Sequence, residues 1–129
     1  MTVLVGYVPT SEGDAAFTAA LQEARRRAEP LVLLNSARGG APVNMDVAPE
    51  EAIERMTERA KADGVEVDVR QNMHEGDAAD EVLRVAREVD ASVIVIGLRK
   101  RSPVGKLLMG SSAQRILLDA DRPVLAVKP

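Results

Sequence analysis

The sequence predicts an α/β fold, a five-stranded and mostly parallel sheet with helices on both faces. Three observations carry that prediction. Short apolar runs such as Val3-Leu4-Val5, Leu31-Val32-Leu33-Leu34 and Val93 to Gly97 alternate with amphipathic stretches of helical period. The alternation reads βαβαβαβαβ, and its helices are long enough to act as right-handed crossovers between parallel strands. In the third strand, by contrast, Val65, Val67 and Val69 alternate with Glu66, Asp68 and Arg70, and that period of two with one polar face belongs at or near a sheet edge. With strands one and four as the central pair, the strand order is 3-2-1-4-5, and the topology reverses between them.

The elements follow in order. Val3 to Val5 form strand one, which ends near Gly6, Pro9 and Thr10. Ser11 and Asp14 are candidate caps of helix one. Its apolar stripe is Phe17, Ala20, Leu21, Ala24 and Ala28, while Arg25, Arg26 and Arg27 sit mainly off it and read as a solvated side rather than a binding patch. Strand two spans Leu31 to Leu34, with Asn35 and Ser36 at its end. Gly39, Gly40 and Pro42 mark a loop reaching to about Ala48, where the least regular structure is expected. Pro49 suits the first position of helix two, Glu50 and Glu51 complement its dipole, Ile53, Met56 and Ala60 form its stripe, and Gly64 stops it.

After strand three, Asp77 followed by Asp80 resembles a capping arrangement for helix three, whose buried face is Ala79, Val82, Leu83, Ala86 and Val89. His74 precedes that helix. Standing without a second clustered His or any Cys, it is given no metal role. Strand four is followed by a loop carrying Arg99, Lys100, Arg101 and Lys106, and then by Gly110, Ser111 and Ser112 directly before the apolar repeat Ile116, Leu117, Ala120 of helix four. Pro123 ends the next link, and Val124 to Val127 make strand five.

Composition narrows the class. The 129 residues fit one domain, spanning 1–129, and 46% apolar content supplies a core. There is no run of 18 apolar residues, no signal-peptide pattern and no Cys, so a cytoplasmic protein without disulfides or thiolate chemistry is expected. A net charge of −3, from 17 basic and 20 acidic residues, gives no general attraction to nucleic acid or to an anionic membrane. With one Tyr, one Phe and no Trp, there is little for bases to stack on. Neither a nucleic acid nor a membrane is expected as a partner.

Two independent arguments converge on one site. Gly110, Ser111 and Ser112 form a small, hydroxyl-rich turn at a helix start, where free N–H groups and the helix dipole favour an anion. Ligands of open α/β sheets also favour the switch point at the carboxyl ends of the strands, and Pro9 to Ser11 and Gly97 to Arg101 lie at those ends of strands one and four.

The same residues carry a family resemblance. Gly97, the loop, Gly110-Ser111, then Gln114-Arg115-Ile116-Leu117 and the closing Arg122-Pro123-Val124-Leu125-Ala126-Val127 resemble the universal stress protein family. The likeness covers essentially the whole chain, including the Gly76-Asp77 turn and the helix before Val93-Ile94-Val95-Ile96-Gly97. It implies an adenine-nucleotide alpha hydrolase-like fold, commonly a homodimer joined through the last strand. Some members bind ATP or AMP and others do not. ATP-binding members carry a glycine, two residues, a second glycine, nine residues, then glycine with serine or threonine. Gly97 matches the first position and Gly110-Ser111 the last pair, whereas Lys100 stands at the second glycine, where it crowds the turn but brings a cation. Such members also place an aspartate after strand one, for which Ser11 is the nearest match.

Carried over by residue, the resemblance puts Pro9 and Ser11 near ribose and base, Ser36 beside the adenine, Ile96 and Gly97 against the nucleotide, and Gly110, Ser111 and Ser112 on phosphate. Arg99, Lys100 and Arg101 join them on charge and position alone. The function implied is a stress-associated ATP- or AMP-binding dimeric sensor or regulatory module, with Mg²⁺ as an optional companion of ATP. One alternative is a nucleotide-free dimeric scaffold that has lost the site. Another is a slow ATP hydrolase, which lacks a P-loop GxxxxGK[ST], a carboxylate set for Mg²⁺ and a positioned base, so no catalytic residue and no protein metal site are assigned. The apolar fifth strand gives dimerisation its own argument, since an exposed edge of that kind tends to be paired.

Overall fold

A computed structural model of the chain describes residues 1–38, 47–74, 77–99 and 110–129. Its elements are β1 (Thr2–Gly6), α1 (Ser11–Arg27), β2 (Leu31–Arg38), α2 (Glu50–Ala62), β3 (Val67–His74), α3 (Ala78–Glu88), β4 (Ala91–Gly97), α4 (Ser111–Asp119) and β5 (Val124–Val127). The five strands form one sheet in the order β3-β2-β1-β4-β5, with every neighbouring pair parallel. That is the predicted order, with β1 and β4 in the middle and the strand of alternating polarity at one edge.

Strand periodicity divides the core in two. Val3, Val5, Leu31, Leu33, Val93 and Val95 face α1 and α2, where they meet Ala16, Phe17, Ala20, Leu21, Met56 and Ala60. Leu4, Val32, Leu34, Ile94 and Ile96 point the other way and meet Val82, Leu83, Val85 and Ala86 of α3 and Ile116 of α4. With so few aromatic side chains, the alanines of α1 let that helix lie close to the sheet. Each fully buried Leu, Ile or Val contributes roughly 1.5–3 kcal/mol to these layers.

Several boundaries differ from the sequence reading for identifiable reasons. β2 runs past Leu34 to Arg38 because Asn35, 1% exposed, is satisfied within the strand. Its Nδ2 donates to the Tyr7 carbonyl at 2.9 Å, and its Oδ1 accepts from the Ala48 N–H at 2.9 Å and from Gln71 Nε2 at 3.1 Å. Pro49 is the N-cap of α2 rather than its first helical residue. α1 is capped by Thr10, whose Oγ1 accepts from the Gly13 N–H at 3.1 Å, so Ser11 is the first helical residue and neither it nor Asp14 is the cap. In α4 the buried face is Ile116 with Ala113 and Ala120 packed beside it, while Leu117 is 37% exposed and Leu118 81%. At about 100° per residue, Leu117 falls off the stripe that its neighbour Ile116 defines.

Arg25, Arg26 and Arg27 are exposed, as expected of a solvated helix side. Glu23 pairs with Arg26 at 2.9 Å and Arg27 at 3.1 Å. Among the described residues, no helix is long and apolar enough to cross a membrane. Most of the loop from Gly39 to Ala48, together with Gly76, Lys100, Arg101 and Lys106, lies outside the described residues.

Candidate functional site

Because all five strands run parallel, every helix that follows a strand starts on the carboxyl side of the sheet. The first turns of α1, α3 and α4 therefore gather around the ends of β1, β2 and β4. Between them lies a cleft of about 760 Å³. Val8 and Thr10 line it from the β1–α1 turn, Glu12 from the first turn of α1, Ser36 from β2, Gly97 and Arg99 from the end of β4, Asp77 and Ala78 from the start of α3, and Gly110, Ser111 and Ser112 from the start of α4. A narrower pocket of about 140 Å³ continues inward between Gly6, Leu34, Val82, Ile96 and Ile116, sharing Glu12, Ser36, Gly97 and Ser112 with the outer cleft.

Two glycines make this junction possible. A Cβ on Gly97 would stand 2.2 Å from the Glu12 carbonyl oxygen, and one on Gly13 would stand 1.8 Å from that of Val8. The first turn of α1 is thus wedged against both the end of β4 and the loop that precedes it, closer than any side chain allows. Gly110 differs. Among the described residues, a Cβ there would meet the Arg99 guanidinium alone, at 4.0 Å, so Arg99 stands beside the start of α4.

The polar groups divide by location. At the outer end, α4 begins at Gly110 with no side chain among the described residues capping it, so the N–H groups of its first turn are open to an anion, reinforced by the helix dipole. The other two helix starts are already capped, α1 by Thr10 and α3 by Asp77, which accepts from the Ala79 N–H at 3.0 Å. Asp77 also ties the two helices together. Ser112 Oγ donates to it at 2.8 Å, and Arg115 Nη1 lies 3.3 Å away while another Arg115 nitrogen pairs with Asp80. The Ala79 N–H above all, then the Ser112 hydroxyl and Arg115, hold the Asp77 carboxyl below the usual carboxylate range. It remains charged at neutral pH, so the described charges lining the cleft are Glu12 and Asp77 against Arg99.

At the inner end, the walls are mostly apolar, with Tyr7, Glu12, Ser36 and Ser112 the polar residues among them, and the Tyr7 and Ser112 hydroxyls already donate to Asp14 and Asp77. Ser36 is 8% exposed, and its Oγ is buried with no hydrogen-bond partner, alone in this among the described buried side-chain nitrogens and oxygens. Among the described residues, no group of three or more His, Cys, Asp or Glu side chains is placed to share a metal ion. The cleft therefore offers an apolar slot with one unmet hydroxyl at one end and a helix start with a guanidinium at the other. A flat, largely apolar body carrying an anionic tail matches that layout.

Of the residues singled out from sequence, Ser36, Gly97, Arg99, Gly110, Ser111 and Ser112 line the cleft and Ile96 the inner pocket. Pro9 and Ser11 line neither. Ser11 is exposed and its hydroxyl turns to Glu12 Oε2 at 3.3 Å; Val8, Thr10 and Glu12 stand at the cleft instead. Lys100 lies outside the described residues. The sequence reading also missed Asp77 and Ala78 as part of the wall. The signal was present in the parallel topology, which brings every strand-to-helix cap to one edge of the sheet.

The model of the universal stress protein family matches residues 1–128. A universal stress protein of Mycolicibacterium smegmatis is 40% identical over 127 residues, covering 98% of this chain and 97% of its own length. A solved universal stress protein from Archaeoglobus fulgidus is 30% identical, with a TM-score of 0.80 over 99% of this chain and 98% of that one. A universal stress protein solved in complex with cAMP is 23% identical, with a TM-score of 0.75 over 98% of this chain and 96% of its own, a likeness of fold. These structures bear out the expected adenine-nucleotide alpha hydrolase-like sheet. Matched from end to end by the family's model and by a relative of nearly equal length, the chain belongs to the universal stress protein family.

Proposed function

We propose that this chain is a single domain that binds an adenine nucleotide, AMP or ATP, in the cleft, and that it acts as a homodimeric sensor or regulatory module in a cytoplasmic stress response. The observation that carries the proposal is one continuous cleft with an uncapped helix start at its outer end and an apolar slot at its inner end. Gly110, Ser111 and Ser112 hold phosphate through their N–H groups and the Ser111 hydroxyl, with Arg99 beside them, while the Ser112 hydroxyl stays on Asp77. Ile96 and Gly97 flank the nucleotide, and Ser36 stands at the base. Thr10 and Glu12 take over the ribose contacts expected of Ser11, since the Thr10 hydroxyl keeps a proton to donate and the Glu12 carboxylate can accept from a diol. The family relative in complex with cAMP gives a precedent for an adenine nucleotide on this fold. Mg²⁺, where ATP is the ligand, rides on the phosphates.

The test is a thermal melt with and without millimolar AMP and ATP. A ligand present at about 100 times its Kd stabilises the fold by about 2.7 kcal/mol, a rise in Tm of several degrees. Unmoved melts would overturn the nucleotide reading. A dimer joined through β5 is supported by the edge position of that strand, with Leu125 37% exposed on it and Leu118 81% exposed on α4. Light scattering should give twice the mass of the chain, and a monomer would contradict the pairing. A dimer that ignores both nucleotides would favour the scaffold reading, for which the exposed leucines need no ligand.

A further inference from the structure

We infer, on the nucleotide reading above, that the Ser36 hydroxyl is the side-chain group that recognises the base, through a hydrogen bond to one edge atom of the purine ring. Strand alternation puts it there. Asn35 sends its side chain to the α1 and α2 side, where it binds the Tyr7 carbonyl and the Ala48 N–H. Its neighbour Ser36 must therefore point to the opposite face, the side of Leu34, where Val82, Ile96 and Ile116 wall the inner pocket.

The hydroxyl that arrives there is buried and unpartnered. Buried polar atoms in proteins are almost always paired, and an exception calls for an explanation. A ligand is the explanation that fits the surroundings, because Ser36 lines both the inner pocket and the outer cleft and so stands where a bound molecule passes from one to the other. Apolar walls give a heterocycle contact without direction. The Tyr7 and Ser112 hydroxyls there already donate to Asp14 and Asp77, so the unpartnered Ser36 hydroxyl gives direction. Since it can both donate and accept, it can meet either a ring nitrogen or the exocyclic amino group.

The experiment measures binding of AMP and of analogues that each lack one edge group, namely purine riboside monophosphate and the 1-deaza, 3-deaza and 7-deaza forms of AMP, to the full chain and to Ser36→Ala. The wild type should lose about tenfold in affinity with one analogue, Ser36→Ala should lose about tenfold with AMP, and the variant should bind AMP and that analogue alike. Without ligand, Ser36→Ala should melt at or above the wild-type temperature, because no internal hydrogen bond is lost. An analogue profile unchanged by the substitution, or AMP affinity equal to wild type, would overturn the role of Ser36 while the nucleotide reading stands. So would a lower melting temperature of the free variant, which would place the bond inside the protein. Failure of the wild type to bind either AMP or ATP would remove both readings, and those titrations are made first.

Discussion

Tyr7 shows how far a single side chain can be shifted by its place in this sheet. It lies just past β1, 4% exposed, and its hydroxyl donates to Asp14 Oδ1 at 3.2 Å. Burial first, then the charge and hydrogen bond of Asp14, push its pKa up to about 12, against an ordinary value of about 10. The folded state thus favours the neutral phenol. Its contribution to stability is full below pH 10 or so and is lost as pH rises through about 12. Tyr7 is the single tyrosine of a chain without tryptophan, so tyrosinate absorbance reads it directly. A midpoint near pH 12 is expected, moved downward by Asp14→Asn, and a midpoint near 10 in the wild type would contradict the burial. Asp77 has the opposite sign, since its lowered pKa means that its contribution is present above the usual carboxylate range and fades as the solution is acidified through the folded value. At this scale the sequence was legible in part. Thr10 and Ser11 offer the same hydroxyl chemistry one residue apart, and the residue types alone do not say that it is the Thr10 Oγ1 that accepts from the Gly13 N–H.

Between elements, the decisive contact is that of β4 with the first turn of α1. A methyl group on Gly97 would meet a backbone carbonyl rather than the movable end of a side chain, so Gly97→Ala must push α1 away from the sheet. A loss of about 1–3 kcal/mol is expected, read by urea denaturation. Gly110→Ala should change stability little, because among the described residues its Cβ would meet nothing nearer than Arg99 at 4.0 Å; equal costs at the two positions would contradict the wedge. The strand order was readable because alternating polarity marks β3 as an edge and unbroken apolar runs mark β1, β2 and β4 as covered on both faces. The face of α4 was not. Ile116, Leu117 and Ala120 fit a helical period as well as Ala113, Ile116 and Ala120 do, and only the packing against α3 and the sheet separates them.

Over the whole molecule, function follows from direction. A sheet whose strands all point one way collects its helix starts at one edge, and reversal of the strand order between β1 and β4 leaves a gap there. The location of the cleft was therefore legible from element order, with Gly97 and Gly110 on its walls. Asp77 was not seen as part of it, although its capping role was, because the tie from α3 to α4 through Ser112 and Arg115 joins residues 35 and 38 positions apart. The most direct test of a nucleotide cleft at this switch point is a titration of isotope-labelled protein with AMP, following backbone amide resonances. The account predicts saturable shifts at Ser36, Gly97 and Gly110 to Ala113, with the far end of α1 around Arg25 unmoved. No shifts at millimolar AMP, or shifts gathered away from these residues, would contradict it.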